Sequence, residues 1–355
     1  MIKYLGSKRR LVPVLSSMLE RCGAKSALDL FTGTTRVAQA FKGLGAEVTA
    51  VDVTRCAWTL ARCYVQADAE RAERAELERA VERLNSLEGR PGYFTETFCV
   101  RSRFFQPENG ARVDAIRDAI DTDYKDSALE PLLLTSLLEA ADRVDSTTGL
   151  QMAFVKQWSD RSFRPLELRV PQLIEGTGHA LKGDACDLVA SLGEFDLAYL
   201  DPPYNQHRYD SNYHIWETLV AWDAPEHYGV ACKRVDLRDA QRSAFNSRAT
   251  MPEALARVVR DVRSELVVLS YNDESFCDLP TLLSICRQRG HTEVLAFDSN
   301  RYVGARIGIY DPSGKRVGKV GRLRNVEYLL VVGERSQVRR LVAPWRDGTS
   351  EAVAS

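Results

Sequence analysis

Two blocks of alternating strand and helix, separated by a stretch that lacks the alternation, constrain this chain most strongly. SALDLF (Ser26 to Phe31) reads as a short buried strand, followed by the turn TGTT and an amphipathic helix from about Arg36 to Leu44. EVTAVDV (Glu47 to Val53) is a second strand, ending near Asp52, with a helix behind it through Leu60 and Tyr64. Strands that alternate with helices in this way predict a parallel sheet with crossover helices. From about Asp68 the rhythm stops. ADAERAERAELERAVERLNSLEG predicts one strongly charged helix ending near Gly89, followed by an irregular stretch containing Pro91, Pro107 and Gly110. Helices are then expected around Val113 to Ile120 and Leu129 to Val144. The alternation resumes near Leu181. FDLAYL (Phe195 to Leu200) is a strand, MPEALARVVRDV a helix, ELVVLSYN a strand, LPTLLSICRQRG a helix stopped by Gly290, and HTEVLAFD a strand. The segment YVGARIGIYDPSGKRVGKVGRLRNVEYLLVVGE alternates around a DPSG turn and reads as antiparallel strands. An interruption of roughly a hundred residues is too long for a loop, so an insertion within one mostly parallel sheet is expected.

Composition narrows the class without naming it. With 355 residues, 45% hydrophobic and 27% charged, the chain has ordinary globular values and room for a large core. No apolar run approaches the length of a membrane span, and MIKYLGSKRRLVP lacks the apolar core of a signal peptide. Eight cysteines are scattered without a CxxC pair, so a disulfide scaffold or zinc site is disfavoured and a cytoplasmic location is expected. His207, His214 and His227 lack a carboxylate or cysteine cluster, and no metal is expected. The net charge of −1 requires any nucleic-acid contact to come from local positive charge.

Asp201-Pro202-Pro203-Tyr204 closes the FDLAYL strand. Ligands in open α/β sheets collect outside such strand ends. A carboxylate and a proline-fixed carbonyl can both accept hydrogen bonds from an amine, and the tyrosine ring offers a stacking surface for a planar base. The same four residues also suit an ordinary turn. Upstream, DLFTGTTRV places Asp29 in the first strand and Gly33 in a turn before a helix, where backbone can approach a ligand. Asp52 stands at the end of the second strand, where an acid can accept from both ribose hydroxyls or simply cap the next helix. The turn is not GxGxxG, so a dinucleotide is disfavoured.

Together these segments resemble the Dam-like (α-class) DNA adenine-N6 methyltransferases. KYLGSK (Lys3 to Lys8) is similar to the family's amino-terminal cofactor motif, DLFTGTTRV to DLFxGxGxV, and AVDV to the segment that carries the ribose acid. KGDACD (Lys182 to Asp187) resembles the GDF-type motif before DPPY, and VLSYND (Val268 to Asp273) the later sheet segment. The resemblance implies a Rossmann-like methyltransferase fold: α/β, mostly parallel, with an antiparallel C-terminal hairpin and an inserted, mainly helical recognition domain. It implies S-adenosylmethionine as cofactor and double-stranded DNA as partner, with a cognate restriction enzyme as a further partner. The implied domains are 1–66 with 181–335 for methyl transfer, 67–180 for target recognition, and a tail at 336–355. Asp201, Pro202 and Tyr204 would be catalytic. Tyr4, Lys8, Asp29, Phe31, Gly33, Thr34, Asp52 and Asp184 would bind the cofactor, with Tyr4 or Lys8 also near the target base. Two residues depart from the motifs. Thr35 stands where the family has a second glycine, and a β-branched residue resists positive φ, so an altered turn or weaker cofactor binding is expected. Ala185 replaces the aromatic of GDF.

The same fold and chemistry could serve RNA adenine or a protein glutamine, or a catalytically defective nucleic-acid-binding relative. KYLGSK ahead of the glycine motif and the insertion before DPPY favour DNA over glutamine. Nucleic-acid contacts are expected from the tail hairpin, where Arg301, Arg306, Lys315, Arg316, Lys319, Arg322 and Arg324 face only Asp298 and Asp311; Arg316, Lys319 and Arg322 are the chosen candidates. The alternative is a solvated edge. Residues 66–180 hold fifteen Lys/Arg against twenty-one Asp/Glu, so the segment has no overall basic signature. RSRFF and KQWSDRSFR interleave bases with aromatics, which makes Arg101, Arg103, Arg161 and Arg164 candidates against a packed helical subdomain. Tyr209 and Tyr213 could line the same mouth as Tyr204, although packing is favoured for both.

Overall fold

The structure is a computed structural model that describes residues 2–3, 8–155, 157–206, 208–239, 243–300, 309–310, 316–318 and 324–346. Its strands, in chain order, are β1 (Ser26–Leu30), β2 (Glu47–Asp52), β3 (Gly178–Lys182), β4 (Phe195–Leu200), β5 (His227–Tyr228) and β6 (Lys233–Arg234). They continue with β7 (Ser264–Asn272), β8 (His291–Asn300), β9 (Ile309–Tyr310), β10 (Arg316–Gly318) and β11 (Arg324–Gly333). Seven form one sheet in the order β3-β2-β1-β4-β7-β11-β8. The pairs β2/β3, β1/β4 and β4/β7 are parallel, whereas β11 runs antiparallel to both β7 and β8. β9 pairs with β10, and β5 with β6, each as a two-stranded antiparallel ribbon. The mostly parallel sheet with antiparallel strands at its C-terminal side is thus the architecture that the strand–helix alternation predicted.

The central strands are buried on both faces, as parallel strands covered by crossover helices must be. Ala27 to Leu30 of β1, Leu197 to Leu200 of β4 and Leu266 to Asn272 of β7 are all buried. That burial explains why these segments read as near-continuous apolar runs rather than clean alternations.

The chain divides into two compact units. One comprises Met1–Ser7, Thr32–Gly183 and His207–Gln241. Its core is aromatic and aliphatic, built from Phe94, Phe98, Phe104 and Phe105 with Leu133, Leu137 and Trp216. The helix Glu130–Val144 is buried nearly all round: Leu132, Leu133, Leu134, Leu137 and Leu138 are buried, and so are its polar residues Thr135, Ser136 and Asp142. The charged helix is shorter than its composition predicts and spans Arg74–Ser86. Asp68 folds the residues that follow it into a turn, its carboxylate accepting from the Glu70 and Gly176 amides at 3.1 Å each. An Asp that bonds its own downstream backbone competes with helix in this way. Conversely, the helix Pro107–Asp123 begins earlier than expected. Pro107 occupies a first-turn position, where its missing N–H costs nothing.

The other unit comprises Lys8–Phe31, Asp184–Gln206 and Arg242–Ser355. It holds helices Val12–Cys22, Met251–Asp261, Leu279–Arg287 and Arg335–Arg346. Val338, Leu341 and Val342 bury one face of the last helix. The helix Val12–Cys22 ends where Gly23 takes φ 69°, letting its amide and that of Ala24 reach the Glu20 and Leu19 carbonyls. No helix among the described residues is long and apolar enough to cross a membrane.

Candidate active site

In the second unit, β4 delivers Asp201 from the sheet interior. The parallel register that pairs Leu30 with Leu200 continues one step, and the Asp201 amide donates to the Leu30 carbonyl at 3.4 Å. Pro202 is buried behind it. Lys8, carried by a short helical turn before Val12–Cys22, reaches the same place. Its Nζ lies 3.1 Å from Asp201 Oδ1 and also donates to Glu327 Oε1 on β11. Ser270 on β7 donates its hydroxyl to that same Glu327 oxygen at 3.0 Å. An ammonium is thus held between two largely buried carboxylates, with side-chain exposures of 7% for Lys8, 19% for Asp201 and 13% for Glu327.

Burial dominates the proton equilibria here. Desolvation pushes the Asp201 carboxyl up to about 6, with Lys8 resisting and the negative Glu327 reinforcing the rise. For Lys8 burial disfavours the charge, yet Asp201 and Glu327 outweigh it and hold the ammonium well above its ordinary range. Tyr204 is pushed up to about 12 by burial and stays neutral.

The Tyr204 ring stands edge-on to Tyr271, centroids 5.9 Å apart, with Lys8 Nζ 5.9 Å from its own centroid. The Tyr204 carbonyl accepts from the Phe276 amide at 3.0 Å, so backbone on both sides of the two prolines is fixed. Asp29 is buried within β1, opposite Tyr199 in register. Phe31 takes φ 74° and packs edge-on against Phe245 at 5.0 Å. Asp184 caps the short helix Ala185–Leu188, its carboxylate accepting from the Cys186 amide at 2.8 Å.

In the first unit, the glycine turn follows directly. Gly33 takes φ 51°, and its amide donates to Asp52 Oδ2 at 2.9 Å. The other Asp52 oxygen accepts from the Thr54 amide and hydroxyl at 2.9 and 2.8 Å. Burial raises the Asp52 carboxyl, and the Thr54 and Gly33 bonds pull it back. Thr35 adopts the left-handed conformation itself, with φ 60° and ψ 17°. That conformation costs an L-residue about 1–2 kcal/mol. Local bonds oppose the cost: Thr35 Oγ1 donates to the Thr34 carbonyl, and Gln39 Nε2 donates to Thr35 Oγ1, each at 2.7 Å.

Beside this turn lies a small pocket lined by Gly33, Thr34, Thr54, Tyr209, Tyr213 and Glu217, among others. Tyr213 is a core residue, Tyr209 packs against the same core, and both border this pocket. Glu217, which the sequence reading missed, is buried, and its carboxylate accepts from the Arg55 and Cys56 amides at 3.1 and 2.8 Å. It occupies the free amides at the start of helix Arg55–Ala61, where an anionic ligand would otherwise be attracted. Glu327 was missed as well. The one signal for each is an isolated acid inside an apolar element, HIWETLVA and NVEYLLVV.

The arginine candidates separate. Arg161 is committed to the fold, with Nε donating to the Asp145 carbonyl at 2.7 Å and Nη2 paired with Asp145 Oδ1 at 2.6 Å. Arg103 lies over the Trp158 ring, 4.9 Å from its centroid, and Arg101 is exposed beside Glu96 at 3.0 Å. Arg164 is exposed. Phe104 and Phe105 of RSRFF are fully buried, so the aromatics interleaved there serve the core. Arg316 lies in β10, whose backbone alone is described; Tyr4, Lys319 and Arg322 lie outside the described residues. Among the described residues no cluster of three or more His, Cys, Asp or Glu could hold a metal ion.

A largely buried carboxylate with an elevated pKa beside an aromatic ring at a parallel strand end marks a candidate ligand site of the open α/β kind in one unit, and a glycine turn anchored on an acid stands in the other. A family model for D12 class N6 adenine-specific DNA methyltransferases matches residues 4–276, and the chain belongs to that family. The Type II methyltransferase M.NlaIII of Neisseria lactamica is 29% identical over 85% of this chain and 92% of its own length. The modification methylase LlaI of Lactococcus lactis subsp. lactis is 25% identical over 85% of this chain, and StsI of Streptococcus sanguinis 27% over 81%. The chain spans about half the length of these two, 51% and 46%.

Proposed function

We propose that this protein methylates N6 of one adenine within a specific duplex sequence, taking the methyl group from S-adenosylmethionine. The observation that carries the reading is the Asp201 carboxylate, fixed and largely buried at the end of β4 beside the Tyr204 ring. An adenine inside a duplex cannot enter such a site, so the base must be flipped out and stacked, with Tyr204 as the platform. The adenine amine is a weak nucleophile because its lone pair is delocalised into the ring. Hydrogen bonds from the amine to the Asp201 carboxylate and the Pro202 carbonyl favour a more pyramidal nitrogen. Burial makes those bonds stronger than in water, and their fixed geometry adds orientation. The ionised Asp201 carboxylate is a stronger acceptor than the protonated form, so activity is expected to rise through about pH 6.

The first unit fits the cofactor on its own chemistry. Asp52 sits at a strand end with local bonds that fix its orientation, and its carboxylate can accept further bonds from ribose hydroxyls. Gly33 and Thr34 line the neighbouring cavity, with Tyr209 and Tyr213 as apolar walls. When bound, S-adenosylmethionine supplies an electrophilic sulfonium methyl group. Phe31, Asp29 and Asp184 join the reading by resemblance, with Asp184 also capping its helix.

Residues 67–180 serve target recognition in this reading, with Arg101, Arg103 and Arg164 as phosphate contacts and Arg161 supporting them from within. A restriction enzyme cutting the same sequence is the expected partner, since the relatives include enzymes named modification methylases. The test is expression in a methylation-free host, followed by genome-wide detection of N6-methyladenine. One methylated motif is expected from the wild type and none from Asp201→Ala, which should still bind S-adenosylmethionine by calorimetry. Wild-type methylation by Asp201→Ala would overturn the mechanism.

A further inference from the structure

Glu327 lies outside the segment matched by the family model, 51 positions beyond its end at residue 276. It stands in β11, paired in register with Asn272 of β7, on a strand whose following residues Leu329 to Val332 are fully buried. A carboxylate there has to be desolvated, which is expensive unless it is paired and bonded. Lys8 and the Ser270 hydroxyl supply that pairing. Yet Lys8 also pairs with Asp201, so two carboxylates share one ammonium and the cluster carries a net negative charge. A fold that needed only packing would be served at least as well by a neutral side chain at 327.

We propose that Glu327 is a positioning residue for methyl transfer: by holding Lys8 from the β11 side, it keeps the ammonium shared and leaves Asp201 a strong hydrogen-bond acceptor for the target amine. The inference rests on the role proposed above for Asp201. A lysine paired with Asp201 alone would centre on that carboxylate and draw its lone pairs away from the amine. A second carboxylate, anchored by Ser270, holds the ammonium to one side. Glu327 also acts through space, because a negative neighbour makes Asp201 more basic. The other ionisable groups acting on the cluster are the Tyr199 and Tyr204 hydroxyls, with Asp29 acting on Tyr199 and Glu274 on Tyr204. Both tyrosines are raised by burial and stay neutral at working pH, so Lys8 and Glu327 set the charge that Asp201 experiences.

The test is steady-state DNA methylation by Glu327→Gln across about pH 5 to 9, with kcat and both KM values measured at each pH. Glutamine keeps the volume and can still accept from Lys8 and Ser270. The expected result is a plateau kcat lower by about tenfold, an S-adenosylmethionine KM unchanged, and an acid limb moved down by about one unit. Glu327→Asp should recover part of the lost kcat. A folded Glu327→Gln protein with wild-type kcat and an unmoved acid limb would overturn the proposal. Should Glu327→Gln fail to fold, Ser270→Ala loosens the same carboxylate without changing its charge: a lower kcat at unchanged cofactor KM supports the proposal, and wild-type kcat overturns it. Asp201→Ala in the same assay separates the two claims. Activity in that variant removes the reading on which the inference rests, whereas inactivity with an unmoved Glu327→Gln profile removes the inference alone.

Discussion

Replacing Asp201 by asparagine should change stability in a pH-dependent way that reads the burial of its carboxylate directly. In the folded protein the carboxyl is raised from its ordinary 3.8 to about 6, mainly by desolvation, with Lys8 opposing. A displacement of that size corresponds to about 3 kcal/mol between the two protonation states. The sign follows from proton uptake. Between the two values the folded chain binds a proton at Asp201 that the unfolded chain has lost, so stability falls as pH rises. The contribution is fully present below about pH 4 and gone above about pH 6. Asparagine has no such dependence at this site. The stability of Asp201→Asn relative to wild type should therefore rise by up to about 3 kcal/mol between about pH 4 and pH 7. Urea unfolding of both proteins at several pH values, at constant ionic strength, measures the difference and cancels the other titrating groups. A difference that stays flat across the window would refute the buried, ionisable Asp201 on which the mechanism depends. The same group should appear in wild-type kcat/KM as an acid limb with a midpoint near 6.

Two further substitutions separate chemistry from scaffolding. Tyr204→Ala should lose methyl transfer by at least about a hundredfold, whereas Tyr204→Phe keeps the stacking face and should stay within about tenfold of wild type; equal inactivity in single-turnover assays would sink the stacking argument. Arg161→Ala should lower stability by about 1–3 kcal/mol, since it removes a charge-assisted bond to the largely buried Asp145 and two carbonyl contacts. Arg101→Ala should leave stability within about 0.5 kcal/mol and instead weaken DNA binding, with a smaller salt slope in filter-binding or fluorescence titrations.

The sheet was legible because its signal is additive along the chain. β1, β4 and β7 are buried on both faces, so each reads as a mainly apolar run with few polar residues, and DPPY marks the carboxyl end of β4. Helix ends were less legible, since single side chains decide them: Asp68 turns the chain before Arg74, and Pro107 starts a helix that reads as an irregular stretch. RSRFF is legible only in part for a related reason. Alternating bases and rings describe a nucleic-acid platform and an amphipathic packing edge equally well, and burial assigns Phe104 and Phe105 to the core while leaving Arg101 exposed.

Thr35 and Glu327 resist sequence reading in opposite ways. At Thr35 local sterics argue against the left-handed turn, but the penalty is of the same order as the two side-chain bonds that oppose it. A rule about one residue's φ therefore loses to neighbours only one and four positions away. At Glu327 no local rule is broken at all, because a strand tolerates one acid. Its meaning lies in Lys8, 319 positions upstream, and in Ser270 on the neighbouring strand. Motif reading finds the candidate groups of the site, since short segments carry them. The charge that tunes those groups comes from wherever the fold brings a side chain, and here it comes from a strand that no motif marks.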